Sequence, residues 1–237
     1  MRAIKPICLL LVVSFGRTAM RAGHAENDIL PMHKGSYWIY RGEVAWAGSG
    51  ETAPAHKKTV TWKMEIADSA QRGRYTVALV LGHPKDLTWY EEGRERQCSL
   101  LIAVDAAKFF LGACGGKPGE IHGLPQGDIA PSLARAELFF KYPLQADEVF
   151  GGDPSVQRDD TMYAWMVQAV RPARLRGIKG VQASGKRMEY ELTYRTMPDH
   201  QIETYVPGIG LTRYVYSHHG TTSEVDVRLV EFHVGSE

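Results

Sequence analysis

The chain has 237 residues, 44% hydrophobic and 23% charged, with a formal net charge of +1. That is ordinary globular composition, enough for one large domain or two small ones, and it excludes extended disorder, collagen and coiled coil. A balance so near neutrality gives no electrostatic footprint for nucleic acid.

Residues 1–25 have the pattern of a secretory signal. Arg2 and Lys5 precede an apolar run at 7–15, and Gly23 and Ala25 offer small residues before a cut at Glu26. The run is shorter than the roughly 20 residues a membrane span needs. Arg17 and Arg21 make the end of the segment basic, which leaves an uncleaved anchor as the alternative. Cys8 lacks the Leu-x-Gly/Ala pattern of a lipoprotein signal ahead of it. Cleavage would remove Arg2, Lys5, Arg17 and Arg21 and no acid, leaving 24 basic residues against 27 acidic ones and a net charge of −3. The mature part, 26–237, is expected to be a single β-rich domain in the periplasm or outside the cell.

Strand signals dominate it. Residues 36–47 alternate aromatic and polar residues around Gly42. Residues 58–67 place Val60, Trp62, Met64 and Ile66 on one face and Thr59, Thr61, Lys63 and Glu65 on the other. Such period-2 alternation marks a half-buried antiparallel strand. A turn at 71–73 returns the chain as a strand over 74–81. His83-Pro84-Lys85-Asp86 breaks the run, and 87–90 is expected to be a short aromatic strand.

The segment CSLLIAVDAAKFFLGAC at 98–114 is helical by Ala and Leu content. The glycines at 112, 115 and 116 favour a hairpin instead: 99–104, a turn at 105–107, then 108–113. Reflection about Ala106 places Cys98 opposite Cys114 on neighbouring strands, within disulfide reach. After loss of Cys8 these are the two cysteines left, and in an oxidising compartment an even pair is expected to bond. Residues 115–131 read as a Gly- and Pro-rich loop. Residues 131–140, with Ser132 as cap and Leu133, Ala136, Leu138 and Phe140 as a partial apolar face, are the one helix candidate. Strands are expected again at 162–170, 187–196, 202–206, 211–217 and 223–234, the last with a bulge near Leu229–Val230.

The halves 31–114 and 143–234 share an order of features: a Trp-centred strand at Trp62 and at Trp165, then a strand ending at Pro84 and at Pro198, then a short aromatic strand and an apolar hairpin. This suggests a duplication, against the alternative that antiparallel β chains share such features generally. The expected fold is therefore mainly β: an antiparallel, strongly curved sheet or incomplete barrel from two similar halves, with one minor helix. A two-sheet sandwich is the alternative.

The C-terminal run carries Tyr205, Pro207, Gly208, Gly210, Tyr214, Tyr216, Gly220, Thr221 and Glu224, and the mature start carries Pro31, Gly35, Trp38 and Tyr40. Over about a third of the chain this resembles a group of exported bacterial β proteins without an assigned activity. Some of these look distantly like the LolA-like lipoprotein-carrier fold. The resemblance implies a curved, incomplete barrel with an apolar hollow. It brings no catalytic residues.

Chemistry is sparse. His218-His219, with His200, Glu224, Asp226 and His233, could supply metal ligands, but neighbours on a strand face opposite ways and no H-x-H or HExxH spacing occurs. A solvated hairpin tip is the plainer reading, and no metal or cofactor is expected. No G-x-S-x-G is present. Asp159-Asp160 and Glu91-Glu92 read as solvated turns rather than a carboxylate pair for hydrolysis. The aromatic residues Trp38, Trp62, Trp89, Trp165, Tyr205 and Tyr214 are the candidate ligand-lining set. They are either core packing or the wall of an apolar or carbohydrate-binding concavity. The expected function is an exported module that binds a lipid or other apolar ligand, or serves as a structural partner. The alternative is an envelope hydrolase.

Overall fold

The computed structural model describes residues 29–47, 54–114, 129–152, 156, 158–182 and 186–236. The expected signal segment and most of the expected Gly/Pro loop after Cys114 lie outside the described residues. The strands are β1 (Tyr37–Ala47), β2 (Ala55–Arg72), β3 (Tyr75–Leu81), β4 (Cys98–Val104), β5 (Lys108–Ala113), β6 (Glu137–Lys141), β7 (Val149–Phe150), β8 (Trp165–Pro172), β9 (Met188–Arg195), β10 (Asp199–Val206), β11 (Gly210–His218) and β12 (Ser223–His233). They form one sheet of order β6-β5-β4-β3-β2-β1-β12-β11-β10-β9-β8-β7, with every strand pairing antiparallel. The sheet curls into a nearly closed barrel with a seam between its edge strands, β6 and β7.

Curvature comes from the long strand. β2 pairs with β1 over Ala55–Glu65 and with β3 over Glu65–Arg72, changing partner around a register shift between Ile66 and Asp68. A bulge there bends the strand and strengthens its twist. β1 and β12 join the two meanders, and Val230 is skipped where Ile39 faces Glu231 and Tyr40 faces Leu229, the bulge that the pattern implied. Their contact is close: a Cβ on Gly42 would run into the Asp226 carbonyl.

Alternation sends Trp38, Tyr40 and Val44 of β1, Val60, Met64 and Ile66 of β2, and Val225, Val227 and Leu229 of β12 into one interior core. β3 and β4 are apolar on both faces. Ala78, Val80, Leu101 and Ala103 point inward, whereas Val77, Leu79, Leu100 and Ile102 build a second cluster outside with Ile129. Two buried faces explain why their sequences read as nearly unbroken apolar runs.

Two elements differ from expectation. The helix expected over 131–140 shrinks to Ala130–Leu133, and Glu137–Lys141 is a strand paired to β5. Phe139 and Phe140 are both buried, and packing against Tyr205 outweighs the helical preference of Ala, Leu and Glu. The short strand expected at 87–90 is instead part of a 3₁₀ turn, Pro84–Trp89. His83 caps it by accepting from Lys85 N, and Pro84 needs no hydrogen-bond partner at the first position. The counterpart of β10 in the first half is thus not a strand. This turn packs into the barrel against β11 and β12: Thr88 Oγ1 meets the Tyr214 hydroxyl at 2.8 Å, and Ser223 Oγ donates to Thr88 O.

Candidate functional site

The end of the barrel where β1 begins and β10 turns into β11 is covered by the segment before β1. Gly208 N donates to Ile29 O at 3.1 Å and Gly35 N to Ile66 O at 2.9 Å, so Leu30 and Pro31 lie across the opening. Gly208 and Gly210 both have positive φ, the conformation this tight turn needs. Beneath it lies a partly open cavity with about 30 Å³ free to water-sized molecules, space for two or so. Its walls are Trp38, Met64, Ile66, Val80, Leu101, Leu111, Phe139, Tyr205 and Leu211. His83 also lines it.

Above this apolar layer the interior turns polar. Gln201, Glu203 and Tyr205 follow one another on the inward face of β10. Glu203 is 2% exposed, accepts from Gln201 Nε2 at 2.6 Å and from the Tyr205 hydroxyl. Burial pushes its carboxyl up to about 7, against the two hydrogen bonds and the nearby charge of Lys85, which pull it down. Burial likewise holds Tyr40, Tyr205 and Tyr214 well above the usual phenol range, with the Glu203 charge adding to it. Lys85 pairs with Glu137 at 3.4 Å, and Trp165 Nε1 donates to the other oxygen of Glu137 at 3.2 Å, so this group reaches the seam. Glu203 and Gln201 do not line the cavity. Gln201, Glu203 and Tyr205 are thus hydrogen-bonded to one another in the interior.

The structure brings Trp38 and Tyr205 together at the cavity. Both polar ends are used: Trp38 Nε1 donates to Ile209 O at 2.6 Å, and Tyr205 donates to Glu203. Trp165 and Tyr214 belong to the same interior core and the partly buried Trp62 packs against it, but none of the three lines the cavity; Trp62 Nε1 donates to Gly82 O at 2.8 Å. Trp89 lies outside, 58% exposed, with its ring set edge-on to Tyr216 and His218. His218 Nδ1 contacts Thr221 Oγ1 at 3.0 Å. Among the described residues no group of three or more His, Cys, Asp or Glu could hold a metal ion. Of the acid pairs, Asp160 is held by Arg158, whose hydrogen bonds pull the carboxyl down to about 2, and Glu92 is paired with Lys58 at the surface. No described helix is long and apolar enough to cross a membrane.

Sequence reasoning missed His83 and Glu203. His83 looked like punctuation beside a proline. Glu203 lies in QIETYV, where Ile202, Thr204 and Val206 offered an equally plausible inward face.

The predicted bond between Cys98 and Cys114 is present, with Cα atoms 5.7 Å apart. It extends the β4–β5 register, in which Ser99 faces Ala113 and Leu101 faces Leu111.

No protein-family model and no curated protein matches the chain. Among solved structures it is similar to a protein from Bacteroides fragilis described as exported and of YmcC-like fold, with 9% identity, a TM-score of 0.43, and coverage of 86% of this chain and 98% of that one. It is also similar to a protein from Parabacteroides distasonis described as a lipoprotein, with 8% identity, a TM-score of 0.36 and the same coverage.

Proposed function

We propose that the chain is an exported, non-catalytic binding module that receives an apolar group at the covered end of its barrel. The cavity between Leu30, Trp38, Met64, Leu111 and Phe139 carries this reading. Apolar walls with few polar groups are the usual form of a small-molecule site. Its size suits the end of an alkyl chain, with the rest leaving through the mouth. The basic and apolar start of the sequence and the Cys98–Cys114 bond support export, since disulfides persist in oxidising compartments.

Calorimetric titration of the mature protein with short alkyl ketones and fatty esters tests it. Saturable one-to-one binding is expected. Leu111→Phe, which fills the cavity from a partly exposed position, should weaken binding at least tenfold while changing the urea midpoint little. No binding by the native protein to any alkyl compound would overturn the proposal.

A further inference from the structure

The cavity has three side chains with polar atoms in its wall: Trp38, Tyr205 and His83. The first two are committed, to Ile209 O and to Glu203. His83 is not. It is 6% exposed, and its Nδ1 accepts from the Lys85 amide at 3.2 Å. An amide N–H can only donate, so Nδ1 carries no proton, and a neutral imidazole must then carry its proton on Nε2. Burial, aided by the Lys85 charge, keeps the ring neutral by lowering its pKa to about 3. Among the described residues no hydrogen bond uses Nε2. Nor is Nε2 one of the sealed polar atoms without a partner, so it keeps some exposure, and His83 itself lines the cavity.

An N–H facing these apolar walls lacks an acceptor, and leaving it so is unfavourable. Water in so apolar a space finds few other partners. A carboxylate would bring a buried charge with no cation in the wall to meet it. An uncharged oxygen acceptor close to the end of an alkyl chain satisfies the N–H without that penalty.

We infer that the cavity selects uncharged carbonyl compounds, taken in chain-end first, with His83 Nε2–H donating to the carbonyl oxygen. This rests on the cavity being a ligand site. The class comprises methyl ketones and short-acid esters bearing an alkyl tail.

The test compares 2-octanone with 2-methyl-1-octene, the same shape with a methylene in place of the oxygen. Because the ketone is better solvated in water, the informative quantity is the ratio of the two affinities and its change on mutation. His83→Phe is expected to shift the ratio against the ketone by about threefold to tenfold, the worth of one neutral hydrogen bond. His83→Gln, which can still accept from Lys85 N and donate into the cavity, should keep the native ratio. If His83→Phe does not fold, isotope-edited infrared spectroscopy of the ketone on the native protein decides. A carbonyl stretch lowered relative to the ketone in hexane is expected, and a stretch equal to that in hexane would overturn the inference. An unchanged affinity ratio in His83→Phe would also overturn it while leaving the binding-module reading intact. Failure of both probes to bind the native protein would overturn the two together.

Discussion

Glu203 and His83 set opposing pH responses inside one core. The Glu203 carboxyl is raised from its ordinary 4.5 to about 7 by burial, so the folded state holds a proton that the unfolded chain has lost between those values. Stability contributed through this group therefore falls as pH rises from 4.5 to 7 and is level above. Asp86, raised to about 6 by burial, acts in the same direction over a narrower window. His83, lowered from 6.5 to about 3, acts oppositely: the unfolded chain binds the proton first, so stability rises with pH between 3 and 6.5. The native protein is expected to show a shallower pH profile than Glu203 and Asp86 alone would give, because the His83 slope offsets part of theirs. Glu203→Gln removes one of them. Its stability relative to the native protein should climb from pH 4.5 to 7, by an amount on the order of 3 kcal/mol, then stay level. Urea midpoints at pH 5, 6, 7 and 8 measure this, and a difference constant over that range would contradict the assigned burial. That Glu203 faces inward was not legible in its strand, because Gln201, Glu203 and Tyr205 compete with Ile202, Thr204 and Val206 for the same role. The register of β10 between β9 and β11, which sets Glu203 opposite Leu192 and Tyr214, settles the choice.

The hairpin of β4 and β5 shows an element that local information does specify. Gly112, the turn at 105–107 and the reflection that pairs Cys98 with Cys114 all agree, and Asp105 and Ala106 adopt the positive φ such a turn uses. The bond spans a sequence separation of 16, for which loop closure predicts about 3 kcal/mol. Replacing both cysteines with serine should lower unfolding free energy by that amount, read from urea curves, without altering the far-ultraviolet spectrum of the β sheet. The 3₁₀ turn Pro84–Trp89 shows the reverse. Leu87 is 1% exposed and Thr88 is hydrogen-bonded to two strands of the other half, so the turn fills the barrel instead of extending its sheet. Leu87→Ala should destabilise by about 2–5 kcal/mol, the range for truncating a buried leucine. A loss well under 1 kcal/mol would mean that the turn is not packed inside. Residues 131–140 were misread for a related reason: a window of Ala, Leu and Glu favours a helix locally, yet Phe139 and Phe140 gain more by burial beside Tyr205.

At the scale of the molecule, the chain runs outward from β1 to the edge at β6 and returns from β7 at the other edge to β12, which pairs with β1. Strands consecutive in sequence are thus paired in the sheet, except β6 and β7 at its two edges, and β1 pairs with the sequence-distant β12, where Tyr37 faces His233. The start of the described chain then closes one end of the barrel through Ile29, Leu30 and Met32, all buried. If residues 1–25 direct export, N-terminal sequencing of the exported protein should begin near Glu26, leaving residues 29–32 to cover the cavity. A cytoplasmic protein beginning at Met1 would overturn both the export proposal and the compartmental argument for the disulfide. The sequence by itself determined the β class, most strand positions, the bulge in β12 and the Cys98–Cys114 pairing, because side-chain alternation and turn chemistry act over a few residues and need no partner to be read. Only the tertiary structure decided which face of β10 turns inward, that residues 84–89 fill the interior, that β6 and β7 form the seam, and that His83 meets the cavity. Each of those depends on contacts between residues far apart in sequence, and burial energy summed over such contacts outweighs the local preferences that a single chain displays.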